Sequence, residues 1–325
     1  MKLSGLTTSL LALLAACSGH IAVPQATVTQ RDTITRIARE ELRAAMEQWH
    51  AEAGTIVALD LDTGAILAAI GRTATADDDT LATQQTWITG STLKTFTQAI
   101  ALDAGTVTPD TIIDCRTRTW GEQAMKDSSE HHDLSVRDAL AVSSNVAASR
   151  IFDSLGLARW VVGIKRFHFG DAPAVWPTIT DGASYAAAML ASGELGQATP
   201  LQVAAAYAAI FRNGTYLSPV AVGTAASKPE PTVSATTAQT VVDLLEHVVT
   251  SPMGTGQRAA IAGHRVAGKT GTMPIDAART YGSFIGRVLD GPNIVLLVGI
   301  VSHDDGNTGG KAAAPVFAKV MQRLL

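Results

Sequence analysis

Gly90-Ser91-Thr92-Leu93-Lys94 follows a run of turn residues and opens an apolar-periodic segment from Phe96 to Ala104. A serine and a lysine three apart at the start of a helix face the same way. A lysine desolvated there can lose its proton and act as a base, which makes Ser91 a candidate nucleophile. Average residue usage yields about one Ser-x-x-Lys in a chain of this length. The pattern therefore assigns chemistry only in company with the other parts an activated serine needs.

Working outward, the stretch also divides the chain by periodicity. From Ser91 to about Arg212 the apolar spacing is helical and alanine-rich, broken by Gly105, Gly156, Gly170, Gly182 and Gly214, which predicts an all-helical block. Upstream, Asp32 is the expected cap of an amphipathic helix carrying Ile34, Ile37, Ala38, Leu42, Ala45, Met46 and Trp49, stopped by Gly54. Thr55 to Asp60 and Ala65 to Ala69 then predict a hairpin across Leu61-Asp62-Thr63-Gly64. Asp77-Asp78-Asp79 reads as a solvated acidic loop, since nothing around it offers a cation's remaining ligands.

Downstream, a Pro-containing loop from Pro219 to Pro231 precedes a helix from Ala235 to Val249. Strands follow at Arg265 to Thr272, Tyr281 to Val288 and Asn293 to Val301, with Asp290-Gly291 as the last hairpin turn, and a final helix begins near Ala312. Helix and two strands at one end, three strands and helix at the other, predict an α+β fold: one antiparallel sheet from both chain ends, flanked by helices, with an inserted helical subdomain at about 91–212.

The 325 residues carry a net charge of -4, and no lysine or arginine run suggests a nucleic-acid surface, so nucleic acid is not an expected partner. Cys17 and Cys115 are too far apart in context for a disulfide framework or a thiolate metal site. Cys115 reads as a small buried residue, and His131-His132, among Asp127, Glu130 and Asp133, as a solvated loop. At the N-terminus a single Lys2 precedes an apolar run, Leu10 to Ala16, too short to span a bilayer. Residues 1–17 therefore read as a signal peptide. Its end, Leu14-Ala15-Ala16-Cys17, resembles the lipobox of bacterial lipoproteins, which implies lipidation of Cys17 and an exported protein held to a bilayer. Residues 18–31 read as a tether and 32–325 as one catalytic domain.

Two further motifs complete the opening one. Ser143-Ser144-Asn145 lies in the helical block, and Lys269-Thr270-Gly271-Thr272 lies on the first late strand. The order Ser-x-x-Lys, Ser-x-Asn, Lys-Thr-Gly resembles the penicillin-binding transpeptidases and serine β-lactamases, each pattern occurring once. Ala198-Thr199-Pro200-Leu201-Gln202 and Gly309-Gly310-Lys311-Ala312-Ala313-Ala314-Pro315-Val316-Phe317 also look like segments of such transpeptidase domains.

The resemblance implies a β-lactamase/transpeptidase-like fold and a role for each motif residue. Ser91 attacks a carbonyl and Lys94 takes its proton. Ser143 relays a proton between Lys94, Lys269 and the leaving nitrogen, while Asn145 orients the substrate amide. Lys269 supplies positive potential, Thr270 and Thr272 offer hydroxyls to a substrate carboxylate, and Gly271 keeps the strand clear. The backbone N–H groups of Ser91 and Thr272 form the oxyanion hole. No metal or other cofactor is implied. The implied partners are peptidoglycan stem peptides, β-lactam antibiotics and, through the N-terminus, a lipid bilayer.

Within the superfamily, β-lactamases need an activated water, from a glutamate base on a loop or from a carboxylated lysine with valine in the second motif. Here that motif ends in Asn145, and no Glu-x-x-x-Asn follows it. The expectation is a stand-alone D,D-transpeptidase with a long-lived penicilloyl adduct; D,D-carboxypeptidase, class D-like β-lactamase and a β-lactam or muropeptide sensor are the alternatives. Thr89, where proline often precedes Gly-Ser, and Ala147, where glycine often follows Ser-x-Asn-Val, depart from the family pattern.

Overall fold

Thr27 rather than Asp32 starts the first helix. The computed structural model describes residues 27–303, 306 and 308–325, so the signal peptide, Cys17 and residues 18–26 lie outside the described residues. The Thr27 hydroxyl accepts from the Gln30 amide at 3.1 Å, and α1 runs Val28–Gln48. Residues 28–31, expected in a tether, are helical. Residues 27–33 are exposed, so hydrophobic spacing carries no signal over that first turn.

The chain continues into β1 (Ala53–Asp60) and β2 (Ile66–Thr73). The middle segment supplies α2 (Lys94–Asp103), α3 (Val136–Ala141), α4 (Asn145–Leu155), α5 (Leu157–Lys165), α6 (Tyr185–Ser192) and α7 (Pro200–Phe211). Then come α8 (Ala235–Thr250), β3 (Val266–Pro274), β4 (Arg279–Val288), β5 (Ile294–His303) and α9 (Ala314–Gln322). The five long strands form one antiparallel sheet in the order β3-β4-β5-β1-β2. Pairing of β1 with β5, from Ala53 opposite Val301 to Asp60 opposite Ile294, joins the two ends of the chain.

Alternation along the strands places neighbours in opposite layers. Ile56, Ala58, Leu296 and Val298 pack with Ile34 and Leu42 of α1 and Phe317 of α9. Val57, Leu59, Val295 and Leu297 pack with Phe96, Tyr207 and Leu245 of the inserted helices. Both faces are covered, which is why β1 and β5 read as nearly unbroken apolar runs.

The insert is not purely helical. Ile112–Asp114 pairs with Asp133–Ser135, and Arg118–Trp120 with Gln123–Met125, as two small antiparallel pairs. This segment is rich in threonine and charge and mostly half-exposed, so it has no apolar face on which a helix could dock. The acidic loop is also more than solvated. Asp77 meets Arg39, Arg43 and Arg72 at 3.4, 3.0 and 2.6 Å, and Asp79 meets Arg39 at 2.8 Å, which ties α1 to β2. Such exposed pairs contribute about 0–1 kcal/mol each. Cys115 is buried, as its context suggests.

At the centre of the molecule α2 is buried from Lys94 to Ala101. Phe96 meets the rings of Phe167, Phe169 and Tyr207 edge-on at 4.8–5.0 Å between centroids. The opening motif therefore sits at the head of a buried central helix.

Candidate active site

Gly90–Leu93 forms one 3-10 turn, and the α-helix proper begins at Lys94. The turn is pinned from two sides. Tyr207 donates to the Thr92 carbonyl at 2.8 Å. On the other side Gly90 N donates to the Gly193 carbonyl at 2.9 Å, and the Thr89 amide and hydroxyl donate to the Gly196 carbonyl at 2.9 and 3.2 Å. A proline at position 89 could make neither Thr89 bond, so this departure from the family pattern has a local compensation.

Lys94 is 1% exposed, and its Nζ donates to Ser91 Oγ at 2.6 Å. The same amine reaches the Ser143 carbonyl at 2.9 Å and Ser143 Oγ at 3.4 Å. Lys269, 0% exposed on β3, approaches from the opposite side, 2.8 Å from Ser143 Oγ and 3.1 Å from the Thr270 carbonyl. One hydroxyl thus bridges two buried amines, and all three motifs converge.

Ser143 occupies the turn between α3 and α4, with φ at 65°, a left-handed conformation that costs a non-glycine residue about 1–3 kcal/mol. Its neighbour Ser144 caps α4 by accepting from Ala147 N at 2.9 Å. Strain at the first residue and capping at the second fix the direction in which Asn145 enters the helix.

Burial pushes the Lys94 ammonium down to about 8, opposed by the negative charges of Glu194 and Asp127. Burial, and then the charge of Lys94, pushes Lys269 well below the usual lysine range. Two buried ammonium groups sharing one hydroxyl are costly, so neutral Lys94 becomes accessible close to neutral pH, where an ordinary lysine would stay protonated.

Gly271 packs closely behind the nucleophile turn. A Cβ there would collide with Ser283 Oγ and lie 3.1 Å from Thr92, so its small size lets β3 approach the nucleophile turn from behind. The approach brings the Thr272 backbone against Gly90. Thr272 Oγ1 accepts from Gly309 N at 3.0 Å, which leaves its own proton free to donate. Thr270 Oγ1 is 2.7 Å from Thr255 Oγ1, and the Thr255 amide in turn donates to the Ala141 carbonyl at 3.0 Å.

These residues line a cleft of about 550 Å³ that includes Ser91, Ser143, Asn145, Thr270 and Thr272, with Arg258 and Lys311 at its rim. Arg258 and Lys311 give this cleft positive charge, a setting suited to a substrate ending in a carboxylate.

Two carboxylates complete the site without belonging to any of the three motifs. Asp127 Oδ1 accepts from the Asn145 and Val146 amides at 2.6 and 3.1 Å, anchoring the first turn of α4. Glu194 Oε1 accepts from Asn145 Nδ2 at 2.9 Å. Asp127 was legible only as one of the acidic neighbours of the histidine pair. Glu194 had one signal, a lone charge between Gly193 and Gly196 just ahead of Thr199-Pro200.

The family model described as the penicillin binding protein transpeptidase domain matches residues 54–322. The probable peptidoglycan D,D-transpeptidase PenA of Neisseria meningitidis is 30% identical over an alignment covering 89% of this chain and 54% of that protein. For peptidoglycan D,D-transpeptidase FtsI of Escherichia coli the figures are 27%, 88% and 53%. The chain spans about half the length of these curated relatives. Among solved structures, the TP domain of Burkholderia pseudomallei penicillin-binding protein 3 superposes with a TM-score of 0.78 at 28% identity, covering 90% of this chain and 93% of that one.

Proposed function

The chain belongs to the penicillin-binding protein transpeptidase family, and on that premise we propose that it is a peptidoglycan D,D-transpeptidase working through an acyl-enzyme on Ser91. The observation that supports this most is the 2.6 Å contact between the buried Lys94 amine and Ser91 Oγ. Neutral Lys94 takes the Ser91 proton as Oγ bonds to the carbonyl carbon of the penultimate residue of a stem peptide ending in D-Ala-D-Ala. The backbone N–H groups of Ser91 and Thr272 hold the resulting oxyanion; one such donor contributes about 2.7–4 kcal/mol. Ser143, bridged to both lysines, passes a proton to the departing amine as the C–N bond breaks. An acceptor amine then attacks the ester, and Ser91 recovers its proton. The Thr270 and Thr272 hydroxyls hold the terminal carboxylate. In a β-lactam the ring amide takes the place of the scissile peptide.

A purified protein given stem pentapeptide should release D-alanine and, when an acceptor amine is added, transfer the acyl group to it. Release without transfer at any acceptor concentration would make the enzyme a carboxypeptidase.

The base also sets the pH dependence. Lys94 is useful only when neutral, so acylation by penicillin should rise roughly tenfold per pH unit well below about 8 and level off above it. Second-order labelling rates across that range test this, and a flat profile excludes Lys94 as the base.

At the N-terminus, the sequence Leu14-Ala15-Ala16-Cys17 supports a lipid anchor on Cys17 after signal-peptide removal, with the catalytic domain on the outer side of a bacterial membrane. Each buried CH₂ of an acyl chain adds ~0.8 kcal/mol of membrane affinity. Labelled fatty acid should enter the wild-type protein in cells and fail to enter Cys17→Ser.

A further inference from the structure

Asn145 is held by one carboxylate at its backbone and by another at its side chain. Asp127 takes the backbone amide, and Glu194 takes Nδ2 at 2.9 Å. Glu194 is placed by the same corner that pins the nucleophile turn. Its own amide donates to the Met189 carbonyl at 2.8 Å, and the Gly193 carbonyl before it accepts from Gly90 N. At Gly193, φ is 92°, and an added Cβ would run into the Gly90 carbonyl, so the corner and the turn are in direct contact. Movement of Ser91 and movement of Glu194 are therefore mechanically linked.

An ionised carboxylate only accepts hydrogen bonds. Opposite Glu194, the Asn145 amide must present its NH₂ group, and Asn145 lines the cleft. Resting on the acyl-transfer reading above, we propose that Glu194 is a positioning residue: its carboxylate holds one N–H of the Asn145 amide and so fixes the edge that this amide presents to the bound peptide. The groups facing Glu194 are Lys94 from α2, Asp127 from the loop ahead of α3, Asn145 from α4 and Ser192 from α6. Burial raises the Glu194 carboxyl, and the charge of Lys94 opposes that rise. In return, Glu194 supports the proton on Lys94.

Glu194→Gln separates these effects because glutamine keeps the shape but can donate as well as accept. The amide sense is no longer dictated, and Lys94 loses an anion. In the full chain this variant should raise KM for stem pentapeptide roughly tenfold with a smaller change in kcat. The acid limb of penicillin acylation should move to lower pH, since Lys94 then sheds its proton more readily. A purely structural role moves neither the KM-to-kcat split nor the pH limb, and Glu194→Asp should recover part of both.

A readout independent of catalysis is the side-chain NH₂ resonance of Asn145, identified by its loss in Asn145→Ala. In the wild type it should show an acid-side titration step that Glu194→Gln removes. If the wild type is never acylated but this step is present, the acyl-transfer reading fails while the positioning contact stands. Unchanged resonance, KM and pH limb in Glu194→Gln overturn the proposal. So does wild-type turnover of penicillin that the variant abolishes, which would make Glu194 a base that activates water.

Discussion

Ser91→Ala is expected to take up no label from a fluorescent penicillin under conditions that label the wild type to completion. Among the described residues, Ser143 Oγ is the other hydroxyl close to Lys94, and it is also bonded to Lys269. In a serine protease, loss of the nucleophile lowers turnover on the order of 10⁶-fold. The substitution removes one oxygen from a half-exposed position, so folding should be unaffected and the thermal midpoint unchanged. Undiminished labelling of the alanine variant would place the acyl group elsewhere.

Lys94→Met is expected to lower acylation by about 10²–10⁴, the usual contribution of a positioned base. Methionine is preferred to alanine because Lys94 is 1% exposed among packed neighbours, and an alanine there leaves a cavity. The variant should also lose the inflection near about 8, since the titrating group is gone. With the repelling charge of Lys94 removed, Lys269 keeps its proton to higher pH and does not replace the missing base. Gel-band labelling over hours, at several pH values, measures both effects. A Lys94→Met enzyme that retained the wild-type profile would transfer the base role to another group.

The sheet was legible because its strands are buried on both faces: β1 and β5 are apolar almost throughout, and the long helices α2, α7 and α8 keep their period. What escaped lacks that signal for physical reasons. The first turn of α1 is exposed, so its start is marked by the Thr27 cap and not by hydrophobicity. The small strand pairs between 112 and 135 are short and half-exposed, held by backbone bonds and not by an apolar face. Asp77 and Asp79 find their arginines on α1 and β2, partners that only the folded chain brings near.

The site divides in the same way. Ser91 and Lys94 are three apart on one turn, and the order of the other motifs pointed to their company. Glu194 pairs with Asn145 across 49 positions of sequence. A search for a local Glu-x-x-x-Asn pattern had no means of finding a contact of that kind. Gly271 shows the converse: its place in the motif was visible, but the packing against Ser283 and Thr92 that requires a glycine was not.

The central claim is that Ser91 carries the acyl group. Intact-protein mass spectrometry after incubation with benzylpenicillin, followed by mapping of the modified peptide, tests it most directly. The account predicts one adduct with the full mass of the antibiotic, on the peptide containing Gly90-Ser91-Thr92-Leu93-Lys94. Absence of any adduct, or an adduct mapped to another residue, would contradict it.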